Sequence, residues 1–132
     1  MRLDPRPPTV AELRGLAEAV GWTDHYDWET VGDALAASRH GVVALEGGEV
    51  AGAARAVGDG THYLYIQDVI VHPAHQDAGI ASQMTALLVE RIRRTAGTRV
   101  LIGLFASPEA EGVYRDLGFA EPGDMTGMVW QG

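Results

Sequence analysis

The chemistry-bearing residues concentrate in Val71-His72-Pro73-Ala74-His75-Gln76-Asp77-Ala78-Gly79-Ile80-Ala81, where a β-branched run gives way to a helix-forming one. A strand, a turn and a helix start leave successive backbone N–H groups without acceptors. They converge there with the positive end of the helix dipole, so a phosphate or pyrophosphate can be held without basic side chains. Gly79 and Ala81 are small enough to let such an anion approach. The run is not a Walker loop, because no Gly-Lys-Ser/Thr follows, nor a Rossmann fingerprint, because the first two glycines are absent. Taken alone, the same residues also read as an ordinary strand-to-helix turn. A second chemical residue is Tyr114, followed by Leu117-Gly118-Phe119. A phenol, with a reference pKa of about 10, can give a proton to a departing anion; the plain alternative is a core tyrosine. Third is Gly21-Trp22-Thr23-Asp24-His25-Tyr26-Asp27-Trp28. The aromatic faces of Trp22, Tyr26 and Trp28 with the Asp24 carboxylate suit an ammonium group, although the two tryptophans serve equally well as core anchors.

These groups need elements to position them. Residues 9–20 place Val10, Leu13, Leu16, Ala17 and Val20 at helical spacing, with Thr9 as N-cap, Glu12 three residues on, and Gly21 as terminator. A second helix is predicted over 29–39, presenting Val31, Ala34, Leu35 and Ser38. Residues 41–46 and 49–57 flank Gly47-Gly48 and read as a tight hairpin. The aromatic and β-branched run 63–71 reads as a central strand stopped by Pro73, and 79–96 as the longest helix, ended by Gly97. A short buried strand over 100–105, a helix over 108–117 closed by Gly118, and a final strand ending near Trp130 complete the chain. No repeat or linker interrupts it, which predicts one mixed α/β domain over 1–132 with an antiparallel first half. That first half argues against a flavodoxin-like fold, whose sheet is parallel throughout.

Composition narrows the function classes. Without cysteine there is no disulfide, thiol nucleophile or thiolate metal site. The five histidines, at 25, 40, 62, 72 and 75, form no helical i,i+4 pair with matching carboxylates, so no metal is expected. Ten basic against eighteen acidic residues give a net charge of −8, which repels DNA and tRNA. No apolar run approaches the roughly 20 residues that cross a bilayer. The start Met1-Arg2-Leu3-Asp4-Pro5-Arg6-Pro7-Pro8 lacks the apolar core of a signal peptide, so a cytoplasmic location is expected.

Gln76-x-x-Gly79-x-Ala81 after a strand ending Val71-His72-Pro73, together with Tyr114-x-x-x-Gly118-Phe119, resembles both motifs of the GNAT family of acetyl-CoA-dependent N-acetyltransferases. The resemblance spans about residues 41 to 119, and the run from Leu104-Phe105-Ala106 through Gly127-Met128-Val129-Trp130 looks like a branch of small plastid and bacterial members. It implies that the strand over 63–71 splays from the parallel strand over 100–105 and that the pantetheine arm enters between them. There it would meet backbone at Val69, Ile70 and Val71. The pyrophosphate would rest on the amides of Gln76, Asp77, Ala78, Gly79, Ile80 and Ala81, with the Ser82 hydroxyl one position further on.

Tyr114 would protonate the departing CoA thiolate. An alkylammonium, with a pKa of about 10.4, is neutral in roughly one molecule in a thousand near pH 7, so a base or a water relay must help. Where some relatives carry Glu, this chain has Gln67; Asp68 is the candidate base, beside a backbone-capping role for it and a water relay. Side chains alternate along a strand, so Asp68 should face away from Tyr65 and Gln67 unless a bulge intervenes. Asp77-Ala78 also departs from the Gly and basic residue of many relatives, which implies modest cofactor affinity, partly offset by His72 and His75. The expected reaction is acetyl transfer to a small primary amine by direct attack. The alternatives are a protein lysine or N-terminal acetyltransferase and a non-catalytic acyl-CoA-binding module. The resemblance also allows a homodimer.

Overall fold

The computed structural model describes residues 1–132 and joins five strands in one sheet in the order β1-β2-β3-β4-β5. These are β1 (Arg2–Asp4), β2 (His40–Glu46), β3 (Glu49–Gly58), β4 (Tyr63–Val71) and β5 (Leu101–Gly103). Four helices accompany them: α1 (Val10–Val20), α2 (Val31–Ala36), α3 (Ile80–Ala96) and α4 (Glu111–Asp116). The first four strands pair antiparallel; β5 joins β4 in parallel.

Local chemistry starts α1 where the spacing predicts. The Thr9 hydroxyl accepts from the Glu12 amide (3.1 Å) and the Glu12 carboxylate accepts from the Thr9 amide (2.8 Å), a reciprocal capping box. Gly21 ends the helix in the left-handed region, with φ 77°. Arg6 grips the same carboxylate with two N–H groups, at 2.7 and 3.0 Å, and holds Asp4 at 2.8 Å. This ties the β1 end to the helix. The Arg6 hydrogen bonds, aided by the Thr9 amide, hold the Glu12 carboxyl at about 2, against a reference of about 4.3. Because the folded value lies below the unfolded one, the stabilisation is complete above about pH 4.3 and is lost as pH falls toward 2. The gap in Tm between wild type and Glu12→Gln is therefore expected to close between about pH 5 and about pH 2; a gap independent of pH would remove this assignment.

Two apolar clusters sandwich the sheet. On one face α3 lays Ile80, Met84, Leu88 and Ile92, an i,i+4 stripe, over Val42, Ala44, Ala54, Ala56, Leu64 and Ile66. On the other, Leu13, Leu16, Val31 and Leu35 of α1 and α2 cover Ala53 and Ile70. The small side chains of β3 let both layers approach closely. A Cβ at Gly52 would lie 2.9 Å from the Ile70 carbonyl oxygen and 3.1 Å from the Met84 methyl carbon.

Within the α3 layer Thr85 is fully buried and its hydroxyl has no hydrogen-bond partner. An unpaired buried hydroxyl carries its desolvation cost uncompensated, so Thr85→Val is expected to stabilise the fold by about 1 kcal/mol, raising Tm by a few degrees. A lower Tm in thermal melts would mean that the hydroxyl has a partner in solution.

Several expectations change. β1 is an added strand: three residues ahead of a proline-rich stretch carry too little pattern to announce themselves. The second helix is shorter than 29–39, the fifth strand shorter than 100–105 and the last helix shorter than 108–117. The final strand near Trp130 does not form. Residues 119–132 enter no ladder, and Met128, Val129 and Trp130 are exposed. β-propensity needs a partner and a surface to pack on, and the three-residue edge of β5 offers little of either.

Candidate active site

β4 and β5 pair only over Tyr63↔Leu101, Leu64↔Ile102 and Tyr65↔Gly103, after which the strands part. A cavity of about 580 Å³ opens at the parting. Gln67, Asp68 and Val69 line it from β4, Leu104 and Phe105 from the chain after β5, and Tyr114 from α4. Arg55 of β3 and Trp22, His25 and Tyr26 of the α1–α2 connection complete the wall.

The turn after α4 explains why Tyr114 stands where it does. The amides of Leu117 and Phe119 both donate to the Tyr114 carbonyl, at 3.1 and 3.0 Å, and Gly118 takes φ 100°. The chain thus folds back and sets the Phe119 ring edge-on to Tyr114, with centroids 6.1 Å apart. The Tyr-x-x-x-Gly-Phe spacing is this packing unit. Burial pushes the Tyr114 phenol above its ordinary value, so it carries its proton at neutral pH.

Asp68 lines the same cavity as Gln67 because β4 bulges. Arg55 pairs with Gln67 and Ala53 with Ile70, so Asp68 and Val69 together oppose one residue of β3, and Asp68 adopts φ 57°. The strict alternation expected along the strand is broken there. One Asp68 oxygen accepts the Tyr26 hydroxyl (2.8 Å) and the other accepts Arg55 Nε (2.7 Å). Burial, followed by the Asp68 charge, pushes the Tyr26 phenol far above its usual range, so its proton stays in this bond.

Of the predicted acceptor residues, Trp22 and Tyr26 line the cavity, whereas Asp24 and Trp28 do not. Trp28 is an anchor: its Nε1 donates to the Thr23 carbonyl (3.1 Å), its ring lies 5.2 Å from that of Tyr26, and the Arg14 guanidinium sits 5.1 Å over it. Asp24 is exposed in the 3-10 turn Thr23–His25, whose other end sends His25 to the cavity. Asp24 was the carboxylate expected beside an ammonium; Asp68 is the one carboxylate that lines the cavity.

From the cavity, β4 runs out through Val69, Ile70 and Val71 to the predicted anion loop. The side chains of Ile70 and Ile80 are buried in the two cores, which leaves only their backbone available. His72 Nδ1 accepts the Ala74 amide (3.0 Å) and the Gln76 side chain donates to the Val71 carbonyl (3.4 Å). Asp77 and Gly79 take φ 65° and 75°, and Gly79 caps α3 in the left-handed region. After His75, whose amide donates to the His72 carbonyl at 2.9 Å, the next amide to meet a loop carbonyl is that of Gln83, with Gly79 at 3.0 Å. The amides of Asp77, Ala78, Gly79, Ile80, Ala81 and Ser82 have no acceptor in the loop or cap. That row of donors, with no bulky side chain over Gly79, fits an anionic group such as a pyrophosphate.

Sequence reasoning missed Arg55, His25 and Phe105 as cavity residues. A signal existed for Arg55, the single charge inside the small apolar run Val50-Ala51-Gly52-Ala53-Ala54-Arg55-Ala56-Val57. A charge in a strand buried on both faces needs a partner, and its partner stands 13 residues away across the sheet.

Backbone donors that cradle an anion, continuous with a gap between parallel strands, are features of enzymes that hold an elongated anionic cosubstrate. Residues 8–119 match the Acetyltransferase (GNAT) family. The chain belongs to that family and is an acetyltransferase. It is 30% identical to the uncharacterized N-acetyltransferase ycf52 of Porphyra purpurea over 90% of its own length and 70% of that protein's. It is 31% identical to the histone acetyltransferase TAP1 of Glycine max, over 92% of this chain and 56% of the relative. Among solved structures, the GNAT family acetyltransferase SP0256 of Streptococcus pneumoniae TIGR4 superposes with a TM-score of 0.84 at 30% identity, covering 99% of this chain and 97% of that one.

Proposed function

We propose that the chain transfers the acetyl group of acetyl-CoA to the primary amine of a small molecule by direct attack. The observation that carries the reading is Tyr114, a buried and protonated phenol facing the gap where β4 and β5 part. The amides of residues 76–81, with the Ser82 hydroxyl, would hold the pyrophosphate, and the backbone of Val69, Ile70 and Val71 the pantetheine arm. A neutral amine nitrogen then bonds to the acetyl carbon, the carbon–sulfur bond breaks, and Tyr114 gives its proton to the thiolate. The amine's own proton leaves through water toward Asp68. Both Asp68 oxygens already hold a donor, which favours the water relay over direct abstraction.

The cavity walls support a small acceptor with an apolar or aromatic body. Trp22, Tyr26, Phe105 and Tyr114 surround it, and the one lining carboxylate is paired with Arg55. A second reading, a protein lysine acceptor, is favoured by the name of the Glycine max relative; the lysine would have to reach the same cavity. Free thiol released from acetyl-CoA, measured over a panel of aryl and alkyl monoamines, amino acids and a lysine-bearing histone peptide, separates the two. Stimulation by a monoamine establishes the small-molecule reading; stimulation by the peptide alone replaces it. Acetyl-CoA binding without stimulation by any of them leaves a binding module.

A further inference from the structure

Four parts of the chain converge on the Arg55–Asp68 pair. Arg55 stands on β3; its Nε donates to Asp68 in the β4 bulge (2.7 Å), and its Nη1 donates to the Ala34 carbonyl (3.2 Å) and the Ser38 hydroxyl (3.3 Å) at the end of α2. The other Asp68 oxygen takes the Tyr26 hydroxyl of the α1–α2 connection (2.8 Å). The pair is largely but not fully buried, with side-chain exposures of 13% for Arg55 and 8% for Asp68.

Stability alone is a poor reason for this arrangement. Taking both charges out of water offsets most of their attraction, and well-packed apolar residues would serve the fold as well. The left-handed backbone at Asp68 is one that Gly would adopt without strain. What the pair does achieve is geometric. It ties the bulge, which turns the Asp68–Val69 backbone at the strand gap, to the connection that carries Trp22, His25 and Tyr26.

We propose that Arg55 is a positioning residue for acyl transfer: through Asp68 it sets the β4 bulge, and through Asp68 and Tyr26 it holds the α1–α2 connection as the acceptor wall. The inference rests on the acetyl-transfer reading and adds a residue that touches neither the anion loop nor Tyr114. Arginine is required because its fork reaches Asp68 and the end of α2 at once, which one ammonium cannot do.

Arg55→Met is expected to lower kcat/KM for the acceptor by about 100-fold, the size of effect that a small misplacement of reacting groups produces. The KM for acetyl-CoA should stay within about twofold, because the anion loop does not depend on the pair. Arg55→Lys restores the charge but not the α2 bridge and should recover about a tenth of the loss-free rate. Because Asp68 also ends the proposed proton relay, the double variant Arg55→Met/Asp68→Asn is compared with Asp68→Asn alone. If Arg55 acts through Asp68, the second substitution should cost little further acceptor kcat/KM, while Tm rises over Arg55→Met as the unpaired charge is removed. Fully multiplicative losses in the double variant would overturn the proposal, as would an Arg55→Met enzyme within threefold of wild type.

A readout independent of turnover is amide hydrogen exchange. Arg55→Met should speed exchange in residues 22–28 and at the bulge while leaving α3 protected, and unchanged exchange in residues 22–28 counts against the pin. A wild-type chain inert toward every amine would sink the acetyl-transfer reading, whereas exchange still reports on Arg55.

Discussion

Replacing Tyr114 with Phe is expected to lower kcat by about 10²- to 10³-fold, the range that one well-placed proton donor contributes. The change removes one oxygen and keeps the ring that packs against Phe119, so neither the α4 turn nor the melting temperature should move appreciably. If the phenol acts only as the thiolate forms, KM for acetyl-CoA stays put and the whole loss falls on kcat. Burial also predicts the pH behaviour. The phenol's value is raised, so the active acid form persists through the neutral range and beyond the ordinary tyrosine value of about 10. Any loss of rate on the alkaline side below that point must come from another group. Initial rates of wild type and variant across pH test both statements. A Tyr114→Phe enzyme retaining a third or more of kcat would return Tyr114 to the role of core tyrosine.

The second large effect is expected at Gly79. A Cβ there meets only the Gln83 side-chain nitrogen, at 3.7 Å, so space is not the obstacle. Conformation is: φ 75° costs an L-residue roughly 1–2 kcal/mol, and a β-branched one more. With Gly79→Val the loop either carries that strain or rotates out of it, and rotation takes the row of free amides off its aim. The dissociation constant for acetyl-CoA, followed by calorimetry, should rise tenfold or more. At saturating acetyl-CoA kcat should fall only a few-fold, and Tm should drop by several degrees. The two variants therefore divide the kinetic parameters, with Tyr114→Phe in kcat and Gly79→Val in cofactor affinity. Unchanged acetyl-CoA affinity in Gly79→Val would show that the pyrophosphate is held elsewhere.

Much of the fold was legible because its strongest signals are local. Thr9 and Glu12 state a capping box in four residues, Gly47-Gly48 a hairpin, and the run from Tyr63 to Val71 a strand whose ends the structure reproduces. The longest helix is written in the spacing of Ile80, Met84, Leu88 and Ile92. Legibility failed where an element has little pattern of its own or depends on a partner. β1 is three residues held by β2, and the tail through Met128, Val129 and Trp130 has strand-forming residues with no ladder to join.

The site divides the same way. The anion loop and the Tyr114 turn are short contiguous segments whose geometry follows from nearest neighbours: glycine at positive φ, a helix start, a chain reversal that folds Phe119 onto Tyr114. Sequence alone was enough to single them out as candidates, with Asp68 beside them. Only the tertiary structure decided which way Asp68 faces, because that depends on a bulge formed against β3. It alone brought Arg55, Tyr26 and Asp68 together from separations of 13 and 42 residues, and it sent His25 rather than Asp24 to the cavity. Local propensity acts over a few bonds. A buried charge finds its partner through the packing of the whole sheet, and no spacing rule along the chain encodes it.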